Sequence, residues 1–152
     1  MSKKSSDFNE SITKLITFAS LHDVTVIVDP TVEDMFYPYK NKIYINERES
    51  DPELTLFYLL HEIGHLITHL NADEWRKQNL RYTSSKDVDD AQDIGKAWYQ
   101  IANLSEEHDA WRNGKILANQ LKIEFNLDRY EEEWVDAMRD YVEYAYRYLY
   151  RD

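Results

Sequence analysis

From Leu54 to Leu70 the chain carries Leu54, Leu56, Phe57, Leu59, Leu60, Ile63 and Leu66, and set inside that apolar run are His61, Glu62 and His65. A segment this apolar must be buried on most of its surface, so whatever fold the chain adopts is assembled around it. Its start is marked twice. Ser50 with Glu53 fits a capping box, and Asp51 ahead of Pro52 offers a second cap. These signals predict a helix over about 51–70.

Residues four apart share a helical face, so His61 and His65 can grip one ion between them. Imidazoles buried among leucines need partners for their ring nitrogens. Zinc is an economical one: it binds histidine nitrogen at about 2.0–2.1 Å in near-tetrahedral array and leaves one position to water when the site is catalytic. Glu62 stands one residue from the first ligand, at the edge of the same face, where it can reach that water as a general base. The chain has no cysteine. Disulfides, thiolate zinc fingers and thiol nucleophiles are therefore excluded, and a metal must be held by imidazole and carboxylate.

A third protein ligand has to come from another segment. On a straight helix His69 lies about 12 Å along the axis from His61, too far to share the ion, so it is expected beside the site or on the surface. His108, the Asp87-Val-Asp-Asp90 cluster, Asp93 and the pair Glu106 and Glu107 remain. The pattern from Ser105 to about Lys122 is helical and buries Ala110, Trp111, Gly114, Leu117, Ala118 and Leu121. Glu107 extends that stripe three residues before Ala110, whereas Glu106 points partly away. A carboxylate at the end of an apolar stripe is costly unless something positive meets it there. Zinc would do so; the competing use is a solvated first-turn acid interacting with the helix dipole. Glu107 is the preferred third ligand, with Glu106, His69 and His108 as alternatives. Gly64 and Gly114 each cost a helix about 1 kcal/mol relative to alanine, and fit either close helix approach or ordinary packing.

The rest of the chain predicts a single domain over 1–152. Phe8–Leu21 has helical spacing. Val24–Val28 and Lys42–Asn46 read as strands, separated by a turn-like Tyr37–Asn41. Asn71–Asp90 is polar and reads as a loop or broken helix, and helical patterns resume over Asp90–Ala102, from Ser105, and over about 128–150. The expected fold is α+β: a mostly helical, zincin-like domain with a small N-terminal antiparallel or mixed sheet and a long C-terminal helix. That last helix carries Trp134, Met138, Tyr141, Ala145 and Tyr148 on one stripe, with Tyr130, Tyr144, Tyr146 and Tyr150 besides. This exceeds what one buried face can use. Aromatic residues with a polar tip are enriched at interfaces, so the helix is a candidate surface for a protein partner; the simpler use is core packing.

A formal charge of −11 repels nucleic-acid phosphate and anionic membranes, and neither is expected as a partner. Met1–Phe8 is polar, without the apolar run of a signal peptide, and no apolar stretch of about 18 residues follows. A cytoplasmic protein is the expectation.

From Val24 to Leu121 the chain resembles the minimal gluzincin-type HExxH zinc metallopeptidases, in particular the short ImmA/IrrE-like proteins and their phage-encoded relatives. The residues carrying the likeness are the β-branched strand, Ile43-Tyr-Ile-Asn46, Leu59-Leu-His-Glu-Ile-Gly-His65 and Glu107-His-Asp-Ala-Trp111. The likeness implies an α+β fold with Zn2+ on His61, His65 and Glu107. It implies hydrolysis of a peptide bond in a narrow protein or peptide target, with Glu62 as general base. It also implies a strand edge at Ile43, Tyr44 and Ile45 that aligns an extended substrate. The Glu-Ala-Asn-x-Phe-Ala form of the family's third-ligand helix is absent here. His69, His108 and Tyr82 are candidates for stabilising an oxyanion. The rival reading is a non-catalytic zinc-containing protein that binds through its aromatic C-terminal helix; a general amidase is a second rival. A deformylase-like enzyme is disfavoured because its usual cysteine ligand is lacking.

Overall fold

The computed structural model describes residues 3–72 and 93–150. In chain order these form α1 (Lys3–Leu21), β1 (Thr25–Asp29), β2 (Met35–Tyr37), a 3-10 turn (Pro38–Lys40) and β3 (Lys42–Asn46). Three long helices follow: α2 (Pro52–Leu70), α3 (Asp93–Gln120) and α4 (Leu127–Leu149). The architecture is α+β with a three-stranded mixed sheet, as the sequence predicts. Among the described residues no helix is long and apolar enough to cross a membrane.

Of the two possible caps on α2, Asp51 is the one used: its carboxylate accepts from the Leu54 N–H at 3.2 Å, and Pro52 opens the helix without an N–H to lose. Glu53 does not fold back as a capping box requires. Its carboxylate accepts instead from Arg129 at 3.0 Å and from the Asn126 N–H at 3.2 Å, tying the start of α4 to the start of α2. Arg129 also pairs with Asp51.

The predicted break between Ala102 and Ser105 does not occur. No glycine or proline interrupts that stretch, and α3 runs through it as one helix. It ends at Gln120, and in the turn that follows the left-handed backbone of Lys122 (φ 55°) lets the Ile123 N–H reach the Ala118 carbonyl at 2.9 Å.

β2 is absent from the sequence expectation because three residues are too few to show alternation. Its presence changes the sheet. The order is β1-β3-β2, with β3 parallel to β1 and antiparallel to β2. Ile43 and Ile45 point into the core with Leu15 and Ala19 of α1 and Leu56, Leu59, Leu60 and Ile63 of α2. On the other side of α2, α3 packs so closely that a Cβ on Gly64 would stand 1.8 Å from the Ala110 carbonyl oxygen. A Cβ on Gly114 would stand 2.5 Å from the Leu60 carbonyl oxygen. Both glycines therefore serve close helix approach. Buried Tyr130 of α4 locks the pair from beneath, donating its hydroxyl to the Trp111 carbonyl at 2.6 Å and packing edge-on to Phe57.

Candidate metal centre

His61 and His65 sit one turn apart on α2 and turn their Nε2 atoms toward each other, 3.3 Å apart. Glu107 closes the triangle from α3. Its Oε2 is 3.1 Å from His61 Nε2 and its Oε1 is 3.3 Å from His65 Nε2. Among the described residues this is the one group of three or more such side chains whose ligand atoms lie within 4.8 Å of one another.

The spacing fits a tetrahedral ion. Two nitrogens each about 2.0–2.1 Å from a tetrahedral centre are about 3.3 Å apart, the length of one edge of the tetrahedron. The two imidazole nitrogens stand at that distance, each has a different Glu107 oxygen at 3.1–3.3 Å, and with one atom taken per residue the three lie within 4.8 Å of one another. Neutral imidazoles in complementary tautomers can hydrogen-bond Nε2 to Nε2, whereas a divalent cation meets both nitrogens and the carboxylate together. The close packing at Gly64 is what brings Glu107 within reach.

The electrostatics run the same way. Burial opposes ionisation of Glu107, but the two imidazoles facing it outweigh burial and hold its carboxyl down at about 2. His61 is lowered chiefly by burial, which favours the neutral, metal-binding form. Burial also disfavours protonated His65, yet its contact with Glu107 raises it overall. Trp111 stacks on His61, ring centroids 4.4 Å apart. Glu62, 6% exposed, lies with its Oε1 4.0 Å from His61 Nε2, beside the ligand group and outside it. Burial pushes its carboxyl up to about 7, and the Phe36 N–H of β2 donates to it and partly opposes that rise.

Glu106, the alternative ligand, is on the far side of the ring: its Oε1 is 3.8 Å from His65 Nδ1, and its side chain is half exposed. His69 lines the same cleft, packed edge-on against Phe36 at 5.8 Å, away from the ligand triangle. His108 faces Asp109 at 3.6 Å and the ring of Trp134 at 5.1 Å, and does not approach the triangle. Tyr82 and the polar stretch beyond Ala72 lie outside the described residues.

The cleft over the triangle has a volume of about 480 Å³, with Asp34, Met35, Phe36 and Pro38 along one wall. Here the predicted substrate edge is corrected. Ile43, Tyr44 and Ile45 belong to the central strand: β1 pairs with all three and β2 with Ile43 and Tyr44, so an extended peptide cannot add along this strand. The strand at the cleft is β2.

The opposite wall contains a residue that the sequence reading did not assign to the site. Tyr141 of α4 lines the cleft beside Glu107, and burial followed by the Glu107 charge raises its phenol above the ordinary value. Its place in the 4-3-4-3 stripe signals that it faces inward. Nothing in that stripe says which inward-facing aromatic meets the carboxylate. Comparison with protein-family models, with curated proteins and with solved structures gives no match to this chain.

Proposed function

We propose that the protein is a zinc-dependent hydrolase of peptide bonds in a protein target, with His61, His65 and Glu107 as metal ligands and Glu62 as general base. The observation that carries this reading is the gathering of His61 and His65, their Nε2 atoms 3.3 Å apart, with the Glu107 carboxylate that faces both, beside a second buried carboxylate, Glu62. Three protein ligands with a position for solvent are the pattern of catalytic rather than structural zinc, and among the described residues His61, His65 and Glu107 are the three that gather. Zinc, when bound, supplies Lewis acidity toward water and a substrate carbonyl. Glu62 takes the proton from the attacking water and delivers it to the leaving amine. Tyr141, a hydroxyl donor on the facing wall, is placed to meet negative charge developing on the substrate oxygen.

The test is metal analysis of the purified protein followed by comparison of the proteomes of cells expressing the parent and Glu62→Gln. Zinc bound by both, with a cleavage product in the parent sample alone, supports the proposal. A protein that takes up no zinc when loaded, or a Glu62→Gln form that cleaves at the parental rate, overturns it. The exposure of Tyr146 and Tyr150, 64% and 71%, favours a second reading, a non-catalytic zinc protein that binds a partner through α4. It predicts identical proteomes and a co-purifying protein lost on Tyr146→Ser.

A further inference from the structure

The charges around the cleft define what it can hold. Its lining contains Asp34, Glu62, Glu106 and Glu107 and, among the described residues, no lysine or arginine. Zinc would offset Glu62 and Glu107, and Asp34 is paired with Arg48 at 2.7 Å. Glu106 is left over at the rim, 51% exposed. The −11 charge of the whole chain adds a field of the same sign.

Beyond Tyr141 the same face of α4 continues as Tyr144 and Tyr148, about 4.5 and 10.5 Å farther along the axis. They are 63% and 40% exposed, with rings nearly parallel, 21° between planes and 6.5 Å between centroids. Asp140, also exposed, borders this face four residues before Tyr144. Tyrosine faces accept the aliphatic stem and cationic head of lysine or arginine, and flanking carboxylates take the charge. A second copy of this acidic chain would bring like charge to the same place.

We infer that the substrate is a basic stretch of polypeptide, seated from the cleft along the Tyr144 and Tyr148 face of α4. The inference rests on the proposal that the cleft takes a polypeptide, but its test is binding and needs no turnover. The probes are two fluorescein-labelled peptides of identical apolar sequence, one carrying lysine where the other carries glutamate. They are titrated into the zinc-loaded Glu62→Gln protein and followed by anisotropy.

The lysine peptide is expected to bind at least about tenfold more tightly at low ionic strength, with the difference shrinking as salt rises. The Tyr144→Ser, Tyr148→Ser double variant should lose most of that affinity, while Tyr144→Phe, Tyr148→Phe keeps it, because the ring face is retained. Both positions are exposed, and circular dichroism checks that α4 persists. Equal affinity for the two peptides, or lysine-peptide binding untouched by the double serine variant, overturns the inference. A protein that binds the lysine peptide as described yet hydrolyses nothing refutes the proposed activity and leaves this inference standing. One that cleaves acidic and basic peptides alike refutes this inference alone.

Discussion

Replacing Gly64 by alanine separates two opposed effects on one residue. Helix propensity alone favours the substitution: alanine stabilises a helix interior by about 1 kcal/mol over glycine. The structure opposes it. The new Cβ would stand 1.8 Å from the Ala110 oxygen and 2.6 Å from the Ala110 carbonyl carbon, where real contacts are not found under 3.0 Å. The obstacle is backbone, which cannot rotate aside, so α2 and α3 must part by roughly 1.2 Å, the difference between 3.0 and 1.8 Å. Overpacking of this kind costs about 1–3 kcal/mol or more, and it outweighs the propensity gain. The same displacement withdraws Glu107 from His61 and His65. Metal–ligand distances tolerate about 0.2 Å, so zinc affinity should fall by at least the roughly 10–100-fold lost when supporting residues of a metal site are removed.

Urea unfolding of the zinc-free protein gives the stability change, and competition with a calibrated chelator gives the affinity. Gly114→Ala is the control. Its Cβ meets the Leu60 oxygen at 2.5 Å, a milder clash, so it should cost less stability and less zinc affinity. A Gly64→Ala protein as stable as the parent, with parental zinc affinity, would refute the claim that close approach of these two helices builds the site.

Saturating zinc should stabilise the parent by about 2.7 kcal/mol at a hundredfold excess over Kd, read as a rise in Tm, and His61→Ala should abolish the rise. Tyr130→Phe deletes the 2.6 Å hydrogen bond to the Trp111 carbonyl without creating a cavity, and should cost about 1 kcal/mol in urea unfolding. A loss within error would mean that the hydroxyl contributes nothing there. The hydrogen bond from Arg129 holds the Asp51 carboxyl below its ordinary value of 3.8. A carboxyl depressed in the folded state stabilises above its unfolded pKa, and that stability is lost as pH falls through the folded value. The stability advantage of the parent over Arg129→Ala should therefore be full at neutral pH and shrink below about pH 4; an advantage independent of pH would contradict the pairing.

Chain order alone determines the features that local physics controls. The period of Leu56, Phe57, Leu60 and Ile63, the Asp51-Pro52 start and the four-residue spacing of His61 and His65 act within a turn or two of helix, and each is visible in a window of that size. The histidine pair on one face follows from them. The α+β class follows from the strand-like Val24–Val28 and Lys42–Asn46, and the helical C-terminus from the stripe of Trp134, Met138, Tyr141, Ala145 and Tyr148. The choice between Ser50 and Asp51 as cap, the continuity of α3 and the existence of β2 are near-local but balanced too finely for periodicity to settle. The remainder depends on contact between segments far apart in the chain. That Glu107 faces the imidazoles while Glu106 stands behind one follows from how α3 rotates against α2, which the approach at Gly64 sets. That Tyr141 meets Glu107 depends on where α4 lies, held by Tyr130 and Arg129. Burial of β3 between two strands, which removes it as a substrate edge, is decided by pairing partners that its own residues do not encode. The meeting of two imidazoles and one carboxylate is a relation among three side chains on two helices, and only packing can place them.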